Sequence, residues 1–247
     1  MNVRITDKEI HNISELLSNL QADYDGSTGP IWFRGHCDET WNLVPSIFRR
    51  SLDDEINYLR KFQQDATLLL NPRPTNSWEW LFIMRHHNVP TRLLDWTESP
   101  LVASYFATND CMDSDGAIWV LLPLELNNKK GRLMDKSSHL PSIEDEVMDM
   151  YRPDNYSKDK DRTSAFPIAF LAPRNTPRMQ SQLSVFTINH SDETPLEEME
   201  TGTHIWRYII PHDAKRTIHE ELKILKVGKF QLYPELESIG DKLNAGD

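Results

Sequence analysis

The chain of 247 residues has only two cysteines, Cys37 and Cys111, and no Cys-x-x-Cys pair. That argues against a disulfide framework or a structural zinc, and Cys37 reads as an inert filler. No apolar run reaches the roughly 18 residues that a membrane-spanning helix needs, so no membrane partner is expected. The opening "MNVRITDKEIHNISELL" lacks the basic, apolar, small-residue order of a secretory leader, and a cytoplasmic location is the expectation. The nine glycines form neither G-x-G-x-x-G nor G-x-x-x-x-G-K-[ST], so a dinucleotide fingerprint and a P-loop are both excluded. H-E-x-x-H and G-x-S-x-G are missing as well. His86 and His87 are adjacent and would point about 100° apart on a helix, so no metal site is expected. Positive charge is also scarce. With 27 Lys and Arg against 38 Asp and Glu, the net charge of −11 disfavours bulk nucleic-acid binding.

What is present is a folded chain with uneven charge. Apolar residues make up 38% of it, with seven tryptophans, which excludes a disordered composition. Between residues 30 and 100 the cations are Arg34, Arg49, Arg50, Arg60, Arg73, Arg85 and Arg92, with Lys61 the only lysine. A guanidinium fork suits bidentate contact with carboxylate or phosphate better than an ammonium does. The acids collect at "EDEVMD" (144–149) and "SDETPLEEME" (191–200), which read as solvated loops.

Periodicity predicts a first helix over 7–21, capped by Thr6 or Asp7, a strand at "IWFRG" ended by Gly35, and a helix across 52–70. Ser77 is positioned to cap a third helix through "WEWLFIMRHH", with Asn88 able to take the left-handed conformation at its end. "PTRLLDW" is a short buried strand, and Ser99 with Pro100 opens the helix "SPLVASYFAT". Later strands are expected at "AIWVLLPL", "AFPIAFLA", "QLSVFTI" and "THIWRYII", followed by a helix in "AKRTIHEELKILKVG" and a short one in "YPELESIGDKL". Residues 127–163 read as an irregular insertion. Helices and strands mix without strict alternation, so the expected class is α+β: a mixed, mainly antiparallel sheet core with flanking helices.

"WFRGH" and "HHNVPTRLLDWT" concentrate the polar chemistry. An arginine at the end of a buried strand must find an anionic or carbonyl partner. For Arg92 the obvious partner is Asp95, three residues away, in a structural pair. Arg34, between Phe33 and Gly35, is read as functional, the glycine allowing a ligand or another chain close approach. His86 or His87 has two readings, a general base or donor near neutral pH or a satisfied core histidine. Trp78, Trp80 and Trp96 read as core, with one able to stack on a base or nicotinamide ring.

These stretches resemble the FRG domain family, named for a Phe-Arg-Gly motif that stands here as Phe33-Arg34-Gly35. The resemblance continues through Trp41, "LVPSIFRR" (43–50), "HHNVPTRLLDWT" (86–97), "SPLVASYFA" (99–107), "RMQSQLSVF" (178–186) and "LYPELESI" (232–239). Asn88 stands where glycine is usual, Arg85 where glutamine is usual, and Ser184 where glycine is usual. It implies a single domain over 28–247 behind an N-terminal helix and linker at 1–27. The family's plan is similar to ADP-ribosyltransferases, which pair an arginine or histidine on a first strand, a Ser/Thr strand feeding a helix, and a later acid or glutamine. By that resemblance Arg34, His86, Thr97 and Gln182 are the candidate catalytic residues. Arg34, Gly35, His87, Thr91, Arg92, Asp95 and Trp96 would bind the nucleotide, with NAD as substrate. Asp95 or Glu98 would have to supply the missing carboxylate. The implied activity is ADP-ribosyl transfer or NAD glycohydrolysis in a toxin or phage-defence effector, acting on a nucleotide-type small molecule and involving another protein as target or regulator. The alternatives are a non-catalytic module binding a nucleotide, nucleic acid or protein, and a purely structural motif.

Overall fold

The computed structural model describes residues 6–24, 29–49, 54–128, 138–156, 166–199, 203–235, 238–240 and 243. In chain order the elements are β1 (Lys8–Glu9), α1 (Ile13–Asp23), β2 (Trp32–His36), α2 (Asp54–Ala66), α3 (Ser77–His86), β3 (Leu93–Thr97), α4 (Pro100–Thr108), β4 (Gly116–Leu121), α5 (Pro123–Asn127), α6 (Pro153–Tyr156), β5 (Ile168–Phe170), α7 (Pro177–Ser181), β6 (Ser184–Ile188), β7 (Ile205–Ile210), α8 (Lys215–Ile224) and α9 (Lys229–Leu232). The strands form one sheet in the order β1-β7-β4-β2-β3-β6-β5. Among the described strands, only the β1–β7 pair is parallel. The class is α+β with a mainly antiparallel sheet, as the mixed pattern predicts.

The first helix starts later than periodicity suggests. Lys8 and Glu9 pair with Tyr208 and Ile209 of β7, which removes them from any helix. Asn12, not Thr6 or Asp7, is the N-cap: its side chain accepts from the Glu15 amide at 2.8 Å while Glu15 accepts from the His11 amide at 2.8 Å. At α3 the cap is likewise Asn76 and not Ser77, with its oxygen 3.0 Å from the Glu79 amide. Asn88 does take a positive φ of 58° just past that helix. Ser99 caps α4 with Pro100 in its first turn.

Period-two alternation assigns the two faces of the sheet. Phe33, Ile118, Val120, Trp206 and Tyr208 pack with α1, α4 and α8 on one half of the helical face. Leu93, Ile168, Phe170, Phe186 and Ile188 pack with Trp78, Leu81 and Phe82 of α3 on the other half. Trp32, Trp96, Trp119 and Leu121 occupy the opposite face with Leu43, Leu126 and Leu196. Within the stretch read as an insertion, Met148 and Tyr151 are buried in the α3 cluster, whereas 129–137 and 157–165 lie outside the described residues.

Two long-range contacts tie the ends of β2 and α4 together. Cys37 and Cys111, separated by 74 positions, are joined with Cα atoms 5.5 Å apart, which corrects the reading of Cys37 as an unpaired filler. Lys215, fully buried, donates to the carbonyls of Cys37 at 2.6 Å, Cys111 at 2.8 Å and Asp110 at 3.3 Å. A buried ammonium needs such partners to offset its desolvation.

Candidate functional site

A cavity of about 200 Å³ opens on the helical face where α3 and α4 stand apart. Its floor comes from β2, β3 and β6, with α7 closing one end. The strands explain the opening. β2 and β3 share a single register pair, Phe33 with Thr97, whereas β3 and β6 pair along five residues. Beyond that pair the sheet splits, and Arg34 bridges the gap by donating from Nη1 to the Asp95 carbonyl.

The polar lining is cationic. Arg34, Arg85 and Arg178 contribute three guanidinium groups, and Asp95 is the one carboxylate among the lining residues. Asp95 accepts from Arg85 Nε at 2.6 Å and also pairs with its Nη2, while Arg34 Nη1 lies 3.9 Å from the same oxygen. Burial would raise the Asp95 carboxyl, but Arg85 and Arg34 outweigh it and hold the group below its ordinary range. Asp95 in turn raises the Arg85 guanidinium against burial. Burial, offset by Asp95 and reinforced by Arg85 and Arg49, lowers Arg34 to about 10, so it stays charged at neutral pH. Its side chain keeps 20% of its surface exposed, so it is not sealed against the acid.

Arg34 is steered from below by a neutral histidine. Its Nε donates to His36 Nε2 at 2.9 Å, and His36 Nδ1 lies 3.1 Å from the Trp41 carbonyl. Burial, then the Arg34 charge, pushes His36 down to about 3, which is the state those two contacts require: Nε2 accepts and Nδ1–H donates. An unfolded histidine binds its proton near pH 6.5, so folding is favoured above that value and loses this contribution as pH falls towards 3. The His36→Gln variant is expected to flatten the acid limb of the stability curve between pH 6.5 and 3. Denaturant titrations at several pH values measure this, and an unchanged slope counts against the assignment.

The expected residues divide by position. Arg34, Gly35, His86, Asp95, Trp96, Thr97 and Gln182 all line the cavity. Thr91, Arg92 and His87 do not. Thr91 is buried with its hydroxyl 3.3 Å from the Leu93 amide, and His87 is solvent-exposed against Phe62. The expected Arg92–Asp95 pair is not formed. Arg92 is fully buried and reaches back to Glu55: Nε donates to Oε2 at 2.6 Å, and its amide donates to Oε1 at 2.8 Å. Its Nη atoms meet the carbonyls of Asn189 and Tyr151 at 3.2 and 2.7 Å. Gly35 is corrected in its reason: the space a side chain would need is filled by the α4 backbone. Glu98 is paired with Arg174 and lies outside the lining.

The remaining groups are engaged from the rim. Thr97 Oγ1 donates to the Gln182 carbonyl at 2.7 Å and accepts from the Ser99 amide at 3.0 Å. Gln182 Nε2 donates to the Leu232 carbonyl at 3.1 Å. His86 is held below its ordinary value by burial, then by Arg178 and His87, with Glu235 opposing. Phe33, Phe82, Phe106 and Phe186 supply apolar walls. Sequence reasoning left Arg85 and Arg178 out of the candidate site. Arg85 in the last turn of a helix leading into β3 was a usable signal, whereas nothing local links Arg178 to His86.

The two strands on either side of the split, β2 and β3, fall within a stretch that matches a family model. Residues 29–116 match the FRG domain. The FRG match runs from β2 to the first residue of β4 and so contains Arg34, Arg85, Asp95 and Thr97. The α7 and β6 wall lies beyond it. No curated protein and no solved structure matches the chain. Among the described residues no helix is long and apolar enough to cross a membrane.

Proposed function

We propose that the FRG cleft takes a phosphate-bearing nucleotide, NAD in the first instance, and acts on it as an ADP-ribosyltransferase-like or NAD glycohydrolase domain. The observation that carries this reading is the composition of one small cavity: three guanidiniums against one carboxylate, walled by phenylalanines. Guanidinium forks match the oxygens of a pyrophosphate, and aromatic walls suit a nicotinamide or adenine ring. Arg34 and Arg85 would take the phosphates. Those phosphates compete with Asp95 for the same donors, which frees its carboxylate to face the ribose. In the reaction the bond between ribose C1′ and the nicotinamide nitrogen breaks, and the electron pair leaves with nicotinamide. The positive charge then left on the ribose is stabilised by the carboxylate. Water or an acceptor nucleophile adds at C1′ and loses its proton, His86 being the basic group at hand. An activity that consumes NAD would suit a toxin or phage-defence effector.

A second reading, binding without turnover, has its own support. Asp95, Thr97 and Gln182 are all engaged by protein partners, so the groups that chemistry would need are occupied before a ligand arrives. One experiment separates the two. Purified protein with NAD is expected to release nicotinamide, and Arg34→Ala is expected to weaken ADP-ribose binding by about tenfold to a hundredfold, the worth of a charged hydrogen bond. Stabilisation by NAD without release favours the binding module. The absence of both nicotinamide release and a thermal shift would overturn the nucleotide reading.

A further inference from the structure

The cleft is completed from behind by a segment near the end of the described chain. The carbonyl of Leu232 takes the Gln182 amide at 3.1 Å. The ring of Tyr233 lies under the Arg178 guanidinium, with Cζ 4.5 Å from its centroid, and meets Phe106 edge-on at 6.4 Å. Glu235 brings a carboxylate oxygen to 3.3 Å from His86 Nε2. Gln182, Arg178, Phe106 and His86 all line the cavity, and none of the three supporting residues does. Four lining side chains are thus gripped by one short stretch that contributes no surface of its own.

We propose that Leu232–Glu235 is a positioning element of the cleft, in which Tyr233 aims Arg178 and Glu235 aims His86. The inference rests on reading the cleft as a nucleotide site. A ring face attracts a guanidinium without using its N–H donors, so Tyr233 fixes Arg178 while leaving donors for a phosphate. Arg178 spends one of them, Nη1, on the His86 carbonyl at 3.2 Å. A carboxylate beside Nε2 selects the tautomer in which that nitrogen carries the hydrogen, leaving Nδ1 as the basic nitrogen. The charged and titratable groups facing His86 are Arg178, His87 and Glu235, and the first two oppose its protonation while the third favours it.

The test uses the full chain, ADP-ribose as probe, and substitutions that keep bulk. Tyr233→Phe is expected to bind ADP-ribose as wild type does, and Tyr233→Leu about tenfold more weakly, because only the first keeps a π face. Glu235→Gln is expected to lower the His86 titration midpoint followed by NMR, with the Tm unchanged. Without ligand, Tyr233→Leu should also remove the ring-current shift on the Arg178 Nε–H resonance. A merely structural segment would lower the Tm of both variants and leave the His86 midpoint and the Arg178 resonance in place, which would overturn the proposal. Wild-type protein that fails to bind ADP-ribose would sink the nucleotide reading instead. The two ligand-free NMR measurements would then still decide whether this segment aims Arg178 and His86.

Discussion

Adding one methyl group at position 35 is expected to cost the fold at least about 3 kcal/mol, the upper end of the usual range for overpacking. A Cβ built on Gly35 falls 1.9 Å from the Ala103 carbonyl oxygen and 2.7 Å from the Ala107 amide nitrogen. Both are main-chain atoms of α4, so no rotamer change relieves the clash and the helix itself must retreat. Ala103 and Ala107 are fully buried, which shows how closely that helix rides on β2. Retreat would carry Val102 and Phe106 away from the cleft. Gly35→Ala should therefore lose stability in denaturant titrations and lose ADP-ribose affinity together. The comparison is Gly116→Ala, where one main-chain atom, the Ala107 carbonyl oxygen, lies at 2.6 Å and the next contact, Lys215 Cε, is at 3.2 Å, and a smaller loss is expected. Equal, small losses at both positions would mean that α4 is not seated as described.

Arg92→Ala is expected to cost about 3–5 kcal/mol, because it strands a carboxylate in the interior. Glu55 is 1% exposed, and both of its oxygens bond to Arg92. Removing the side chain also strips donors from the carbonyls of Asn189 and Tyr151, and the contact of the guanidinium with the Tyr156 ring at 4.1 Å. Glu55→Gln alone should be milder, since an amide is cheaper to bury than an ion. The double variant Arg92→Met with Glu55→Gln is expected to lose clearly less than the sum of the single changes, and the difference measures the coupling. A loss under about 1 kcal/mol for Arg92→Ala would show that the pair is not buried in solution.

The two arginines show where sequence reasoning works and where it stops. Alternation in "QLSVFTI" and "THIWRYII", and the Ser99-Pro100 start of α4, are local signals, and β6, β7 and α4 stand where those signals put them. That Arg34 needs an unusual partner was legible, because a guanidinium at the end of a buried strand must find an anionic or carbonyl group. In the fold it lines the cavity and donates to the Asp95 carbonyl. For Arg92 the same logic chose the wrong acid. Sequence proximity favoured Asp95, but residues three apart along extended chain point to opposite faces. The true partner arrives from α2, 37 positions earlier. Asp95 then pairs with Arg85, which no spacing rule connects to it without knowing how α3 crosses the sheet. The late start of α1 and the Cys37–Cys111 pairing have the same origin. Each depends on a contact far along the chain, with β7 in one case and the loop after α4 in the other.

The lone register pair between β2 and β3 divides the sheet into two leaves. One half of the sheet carries β1, β7, β4 and β2, and the other carries β3, β6 and β5. In the backbone ladder the two leaves share that one pair, and elsewhere side chains join them: the Arg34 guanidinium across the gap, and Trp32 and Trp119 packed with Trp96 on the face away from the helices. The gap in the ladder is therefore closed by chemistry and not by backbone, with Arg34 of one leaf 3.9 Å from the Asp95 carboxylate of the other.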